Sequence, residues 1–181
     1  KHKIDNLYEY VKNGIEIIGI EPSCILGFQE DFIDLLDGKY KDKAEKIKSN
    51  VYIIDEFFTK NKIWEKIKFK KHKYEKIIVQ PHCHQQSILG NSSLKLLLEK
   101  FGFNNCEYVE NGCCGMAGSF GYFKDKYDIS IALAERDLIP RIKRSIGEIA
   151  VVAAGVSCRE QINHGTDARA KHPVEIIAEI I

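Results

Sequence analysis

The chain predicts an α/β fold with a mostly parallel sheet flanked by helices. Short β-branched runs recur along it, among them residues 15–20 (IEIIGI), 76–80 (KIIVQ) and 149–153 (IAVVA). Between them lie stretches whose apolar residues repeat at helical spacing, the signature of strand–helix–strand units rather than of hairpins. A length of 181 residues with 44% hydrophobic side chains is enough to bury a core.

Taken in order, a helix is expected over residues 4–12 and a first strand over 15–20. An amphipathic stretch carrying Phe28, Phe32, Leu35 and Leu36 follows, then a charged helix over 39–48. Residues 51–54 read either as a strand or as a helix lead-in. Asp55 is the expected N-cap of the next helix, which carries Phe57, Phe58 and Trp64. The lysine-rich segment 66–73 reads as a connector, dividing the chain into parts 1–70 and 71–181. The strand 76–80 stops at Pro81, and a helix over 92–101 bears the stripe Leu94, Leu97 and Leu98. A strand over 106–109 leads into a glycine-rich loop and a long helix over 125–145 that Pro140 kinks. After the strand 149–153 come a helical start near Cys158 and a closing apolar helix behind His172-Pro173.

Charge excludes some partners. The 27 basic and 26 acidic residues leave a net charge of +1, so no field gathers nucleic acid or anionic lipid. The dense lysines between residues 39 and 73 are interleaved with acids and read as solvated helix faces. No signal-peptide h-region and no apolar run of membrane-spanning length occur, which points to a cytoplasmic protein without a transmembrane segment. The chain opens without methionine inside a predicted helix, as a piece of a longer polypeptide would. In a reducing compartment, six cysteines read as ligands or buried thiols rather than as a disulfide framework.

Cys113 and Cys114 are adjacent and followed by Gly115. Neighbouring cysteines pair poorly with each other, because consecutive Cα atoms sit about 3.8 Å apart and a disulfide prefers roughly 5.5 Å. Thiolates converging on one point suit a soft metal, either zinc or iron–sulfur, and a following glycine lets the backbone approach a cluster. Cys24, Cys83, Cys113 and Cys158 each fall just after a predicted strand, and in an open parallel sheet those positions share one edge. Cys106 lies within a strand and reads as a small buried hydrophobe.

The segments Pro81-His82-Cys83-His84-Gln85, Gly112-Cys113-Cys114-Gly115-Met116-Ala117-Gly118-Ser119-Phe120-Gly121 and Ser157-Cys158-Arg159-Glu160-Gln161-Ile162, with His172-Pro173 behind them, resemble the second half of a CCG cysteine-rich domain. Such modules occur in heterodisulfide reductase subunits, in the iron–sulfur subunit of anaerobic glycerol-3-phosphate dehydrogenase, and in iron–sulfur portions of glycolate and D-lactate oxidoreductases. Glu21-Pro22-Ser23-Cys24 resembles the close of the first half, whose opening cysteines belong upstream of Lys1. The resemblance covers nearly the whole chain and is nearest to the C-terminal part of fused proteins with an FAD-binding oxidase domain. It implies two Rossmann-like halves, the first over 1–70 and incomplete at its start, the second over 71–181.

It also implies ligands at Cys83, Cys113, Cys114 and Cys158. The family pattern closes with Cys-x-x-Cys, and here Gly155 stands in place of the first of that pair. Four thiolates still suffice for one [4Fe-4S] cluster or one tetrahedral zinc. Cys24 is either a further ligand or part of a helix start. His82 and His84 flank Cys83 and are either ligands, donors to a sulfur or solvated loop residues; His164 and His172 are weaker candidates. Gly115, Gly118 and Gly121 lack Gly-x-Gly-x-x-Gly spacing, so a loop hugging a cluster explains them better than a phosphate site. Arg159 pairs either with an anion or cluster at the site or with acidic neighbours on the surface.

The function implied is that of an iron–sulfur electron-transfer domain in an FAD-dependent 2-hydroxy acid oxidoreductase. FAD would sit in the upstream domain or subunit, an acceptor would take the electrons, and this piece would not turn over substrate alone. The alternative is a structural zinc module serving assembly or docking.

Overall fold

The computed structural model describes residues 1–110 and 112–181; Asn111, which opens the glycine-rich loop, lies outside the described residues. The chain divides into two compact units, Lys1–Asn61 and Lys62–Ile181. The architecture is α/β with parallel strands and flanking helices, as the alternating pattern predicts.

In the first unit, α1 (His2–Val11) precedes β1 (Ile17–Gly19), which is followed by α2 (Pro22–Ile25), α3 (Asp31–Asp34), α4 (Gly38–Lys48), β2 (Val51–Ile53) and α5 (Ile54–Lys60). β1 and β2 pair in parallel, Ile17 opposite Val51 and Gly19 opposite Ile53. Ile4, Val11, Ala44 and Ile47 are buried where α1 and α4 pack together. The first strand is shorter than expected: Ile15 and Ile20 lie outside it and are exposed. Asp55 is not the cap of α5. The helix already begins at Ile54, with Ile53 as N-cap, and the Ile53 backbone N–H donates to the Glu56 carboxylate at 3.4 Å. Trp64 falls outside that helix, in a separate turn over Ile63–Glu65.

The second unit holds β3 (Lys76–Gln80), α6 (Cys83–Ile88), α7 (Ser92–Lys100), β4 (Cys106–Tyr108), α8 (Tyr127–Glu135), α9 (Leu138–Arg144), β5 (Ile149–Ala153), α10 (Val156–Gly165) and α11 (Pro173–Ala178). β3 is central, with β4 on one side and β5 on the other, and both pairings are parallel. A parallel strand covered on both faces needs a continuous apolar run, and Ile77, Ile78 and Val79 are each no more than 1% exposed. Because all three strands point the same way, Gln80, Tyr108 and Ala153 end at one edge of the sheet.

The helix expected over 125–145 is two helices that break at Arg136-Asp137. The cause is Pro140. Its ring crowds the carbonyl four residues back, and as the third residue of a new helix its missing N–H is one that would have no intrahelical partner. α6 is an element that the sequence pattern does not predict: Pro81 ends β3, but His82 then caps a helix that begins at Cys83. The first unit also echoes the end of the second. β1, α2 with Cys24, β2 and α5 run in the same order as β5, α10 with Cys158, a parallel bridge from Val152 to Lys171 and α11. At the last step the His172 N–H bonds to Glu175 as the Ile53 N–H bonds to Glu56.

Candidate metal centre

Each strand of the second sheet delivers a cysteine just past its end. Cys83 is the first residue of α6 after β3, Cys113 and Cys114 lie in the loop after β4, and Cys158 is the third residue of α10 after β5. Their depths are graded: Cys113 is exposed, Cys83 half-buried, and Cys114 and Cys158 are 5% and 2% exposed. The two deep thiols belong to the core itself, among Ile78, Val109, Met116, Val151 and Ile162.

The four cysteines lie near enough to perturb one another's titration. Burial pushes the Cys83 thiol up to about 11, helped by charge on Cys113, a hydrogen bond with Cys113 and charge on Cys114. The Cys158 thiol is held well above its ordinary value, first by its hydrogen bond to Cys114, then by burial and by charge on Cys114, Cys83 and Cys113. Cys114 moves the other way, down to about 6. The hydrogen bond from Cys158 is the main cause, opposed by burial and helped by the Met116 N–H, its own N–H and the Cys113 thiol. The opposed shifts favour the negative charge on Cys114 and the proton on Cys158. The Gly115 N–H donates to Cys113 Sγ at 3.3 Å.

A buried polar clamp holds the Cys-Cys turn. The Cys114 carbonyl accepts from Ser130 Oγ at 2.7 Å and from Gln161 Nε2 at 2.5 Å, while Gln161 also donates to the Ser130 carbonyl at 2.7 Å. Ser130 and Gln161 are both fully buried. Gln161 stands three residues after Cys158, but its role is not legible from that position, since a polar residue in a helix more often faces water. On the other side, Gln80 at the end of β3 donates to the Gly112 carbonyl at 3.4 Å. Gln161→Ala is expected to cost about 2 kcal/mol, because the amide that bridges two buried carbonyls is lost. Chemical denaturation of the chain checks this, and an unchanged midpoint would contradict it.

The other candidates separate. Cys106 is half-buried rather than buried; its thiol donates to the Phe103 carbonyl at 3.1 Å, and burial pushes it up to about 11 with no other cysteine among the causes. Cys24 is exposed and belongs to the first unit. The Arg159 guanidinium donates to the Ala153 and Ala154 carbonyls at 3.0 and 2.6 Å, fastening the start of α10 to the end of β5. His172 caps α11, its Nδ1 accepting from the Val174 N–H, and His164 faces Glu160 at 3.5 Å on the surface. His84 turns its backbone N–H to the Cys83 sulfur. Gly118 and the exposed Ser119 both have positive φ and form a bend beyond the clamp. His82 is buried beside Gly155.

Among the described residues, no group of three or more His, Cys, Asp or Glu side chains stands close enough to hold a metal ion. The donor chemistry nevertheless suits a soft centre: four thiols on one rim, one of them favoured as thiolate, with backbone N–H groups turned toward the sulfurs.

Comparison with known proteins gives relatives at low identity. The chain is 27% identical to D-2-hydroxyglutarate dehydrogenase of Haemophilus influenzae, over all of this chain and 18% of that protein. It is 25% identical to the Escherichia coli protein of the same name, over all of this chain and 17% of that protein. Against a subunit of the anaerobic glycerol-3-phosphate dehydrogenase of Escherichia coli the identity is 22%, over 93% of this chain and 41% of that relative. The chain thus spans less than half the length of each of these relatives. No protein-family model matches it, and no solved structure does.

Proposed function

We propose that residues 62–181 form an iron–sulfur electron-transfer domain of an FAD-linked 2-hydroxy acid oxidoreductase, with Cys83, Cys113, Cys114 and Cys158 holding a [4Fe-4S] cluster. What supports this reading is that three parallel strand ends deliver four thiols to one edge, where Cys83 with Cys113 and Cys114 with Cys158 lie near enough to shift each other's titration. Relatives named as D-2-hydroxyglutarate dehydrogenases support the substrate class, and one named as part of a multi-subunit dehydrogenase supports a role within a larger assembly. A cluster bound here would accept and pass on single electrons. The chain's own part is to hold the sulfurs on a rigid rim, to keep water from the inner face with the Met116 and Ile162 side chains, and to turn N–H groups to the sulfurs.

The carbon chemistry belongs in this reading to an upstream FAD-binding domain or subunit, which is the expected partner together with an electron acceptor on the cytoplasmic side. Among the described residues no helix is long and apolar enough to cross a membrane. The test is anaerobic reconstitution with iron and sulfide. The expected product is brown, binds iron and sulfide in equal amounts and bleaches on reduction; a colourless protein that takes up zinc and refuses iron would replace this reading with a structural zinc module.

A further inference from the structure

The turn that follows the paired cysteines has an inside and an outside. Gly121 is its buried residue: a Cβ there would lie 2.7 Å from the Gly115 carbonyl oxygen and 3.0 Å from Ser130 Cβ, so no side chain fits between this turn and the cysteine loop. Its neighbours are left to solvent. Phe120, Tyr122 and Phe123 are 42%, 48% and 61% exposed. The Phe123 N–H donates to the Phe120 carbonyl at 3.3 Å, and in a tight turn of this kind positions i and i+3 lie on one side. Ser119, just before them, takes φ +70°, a left-handed backbone conformation that residues with side chains rarely adopt and that gathers at binding sites.

Three aromatic side chains half in water leave an apolar face on the order of 300 Å², the size at which a surface patch marks an interaction site. That is too small for a stable dimer of copies, which takes about 800 Å² from each partner, and it fits the transient contacts of redox proteins, which bury less than about 1,200 Å² in all. Cys113, the exposed member of the four cysteines, belongs to the loop on which this turn packs. A partner seated on the aromatics is therefore brought next to the exposed side of the cysteine cluster.

We propose that Phe120, Tyr122 and Phe123 form the docking face for a flavin-bearing electron-transfer partner. This rests on the cluster reading of residues 62–181. The benzenoid end of a flavin is a methylated aromatic edge, which aromatic side chains match by ring contact without any ion pair. In the docked pair one electron leaves the reduced flavin and enters the oxidised cluster, and no covalent bond forms or breaks.

The test uses the full chain, reconstituted anaerobically with iron and sulfide and mixed in a stopped-flow instrument with either reduced flavodoxin or free reduced FMN, a flavin that needs no docking face. Tyr122→Ser combined with Phe123→Ser, both at exposed positions, should slow electron uptake from flavodoxin about tenfold. The rate with free FMN, the iron content and the visible spectrum should not change. Because the face is apolar, the difference should persist as salt is raised. Equal flavodoxin rates for the two chains at matched iron content would overturn the docking face and leave the domain reading standing. A wild-type chain that sediments as a dimer, beside a double variant that sediments as a monomer, would overturn it in favour of a second copy. A chain that takes up neither iron nor sulfide would overturn both readings.

Discussion

Cys114→Ser should strip the chain of most of its bound metal and destabilise residues 62–181 at the same time, whereas Cys106→Ser should change neither. Cys114 is the deepest part of the Cys-Cys turn, and its carbonyl is fixed by Ser130 and Gln161. Its pKa of about 6 keeps it as thiolate, the ligand form, at neutral pH. A serine hydroxyl does not ionise there and is a poor donor to a soft metal. Burying that hydroxyl costs about 1–3 kcal/mol even without metal, and any metal-linked stability is lost in addition. At Cys106 the thiol is protonated and bonded to the Phe103 carbonyl, a contact that a serine hydroxyl reproduces. Elemental analysis and thermal unfolding of both variants check the pair, and equal behaviour would erase the distinction between ligand and packing cysteines.

Gly121→Ala should be nearly as damaging, although residue 121 lies well beyond the turn in sequence. A Cβ there would come 2.7 Å from the Gly115 carbonyl oxygen, 2.5 Å from Met116 Sδ and 3.0 Å from Ser130 Cβ. The methionine can move aside, but the Gly115 carbonyl belongs to the turn that positions Cys114 and Ser130 is part of the clamp. Overpacking of this kind costs about 1–3 kcal/mol, and here it displaces the ligand loop, so metal content should fall with stability. Gly118→Ala is the control. Its Cβ meets nothing within 4 Å, while φ +61° makes it strained by about 1–2 kcal/mol without moving the cysteines. Loss of metal in the Gly118 variant and retention in the Gly121 variant would reverse the account of this loop.

What the chain revealed of its fold followed burial. β3 and β5 are five-residue β-branched runs covered on both faces, and their bounds were legible to the residue. The largely apolar run IEIIGI predicts a longer β1 than forms, because only the three residues opposite β2 pair. Pro140 stood out as a disturbance, but a break four residues before it did not, because that break depends on the i−4 carbonyl. The short α6 escapes the pattern because Pro81 marks a strand end more loudly than His82, whose side chain makes no cap hydrogen bond, marks a helix start.

The cysteine positions were legible because parallel topology alone carries residues after β3, β4 and β5 to one edge. The Ser130–Gln161 clamp was not, since nothing in an isolated serine or glutamine tells that a distant carbonyl awaits it. The His82–Gly155 contact was half legible: the histidine beside Cys83 and the glycine three before Cys158 both stood out, but only the folded chain places one against the other.

X-ray absorption at the edge of the bound metal tests the central claim most directly. In the full chain prepared without oxygen, the first shell should be dominated by sulfur at about 2.3 Å, the usual metal–thiolate distance, and Cys83→Ser should remove one protein sulfur from it. A first shell built only from oxygen and nitrogen, or a sulfur shell that Cys83→Ser leaves untouched, would contradict the gathering of the four thiols on a single metal centre.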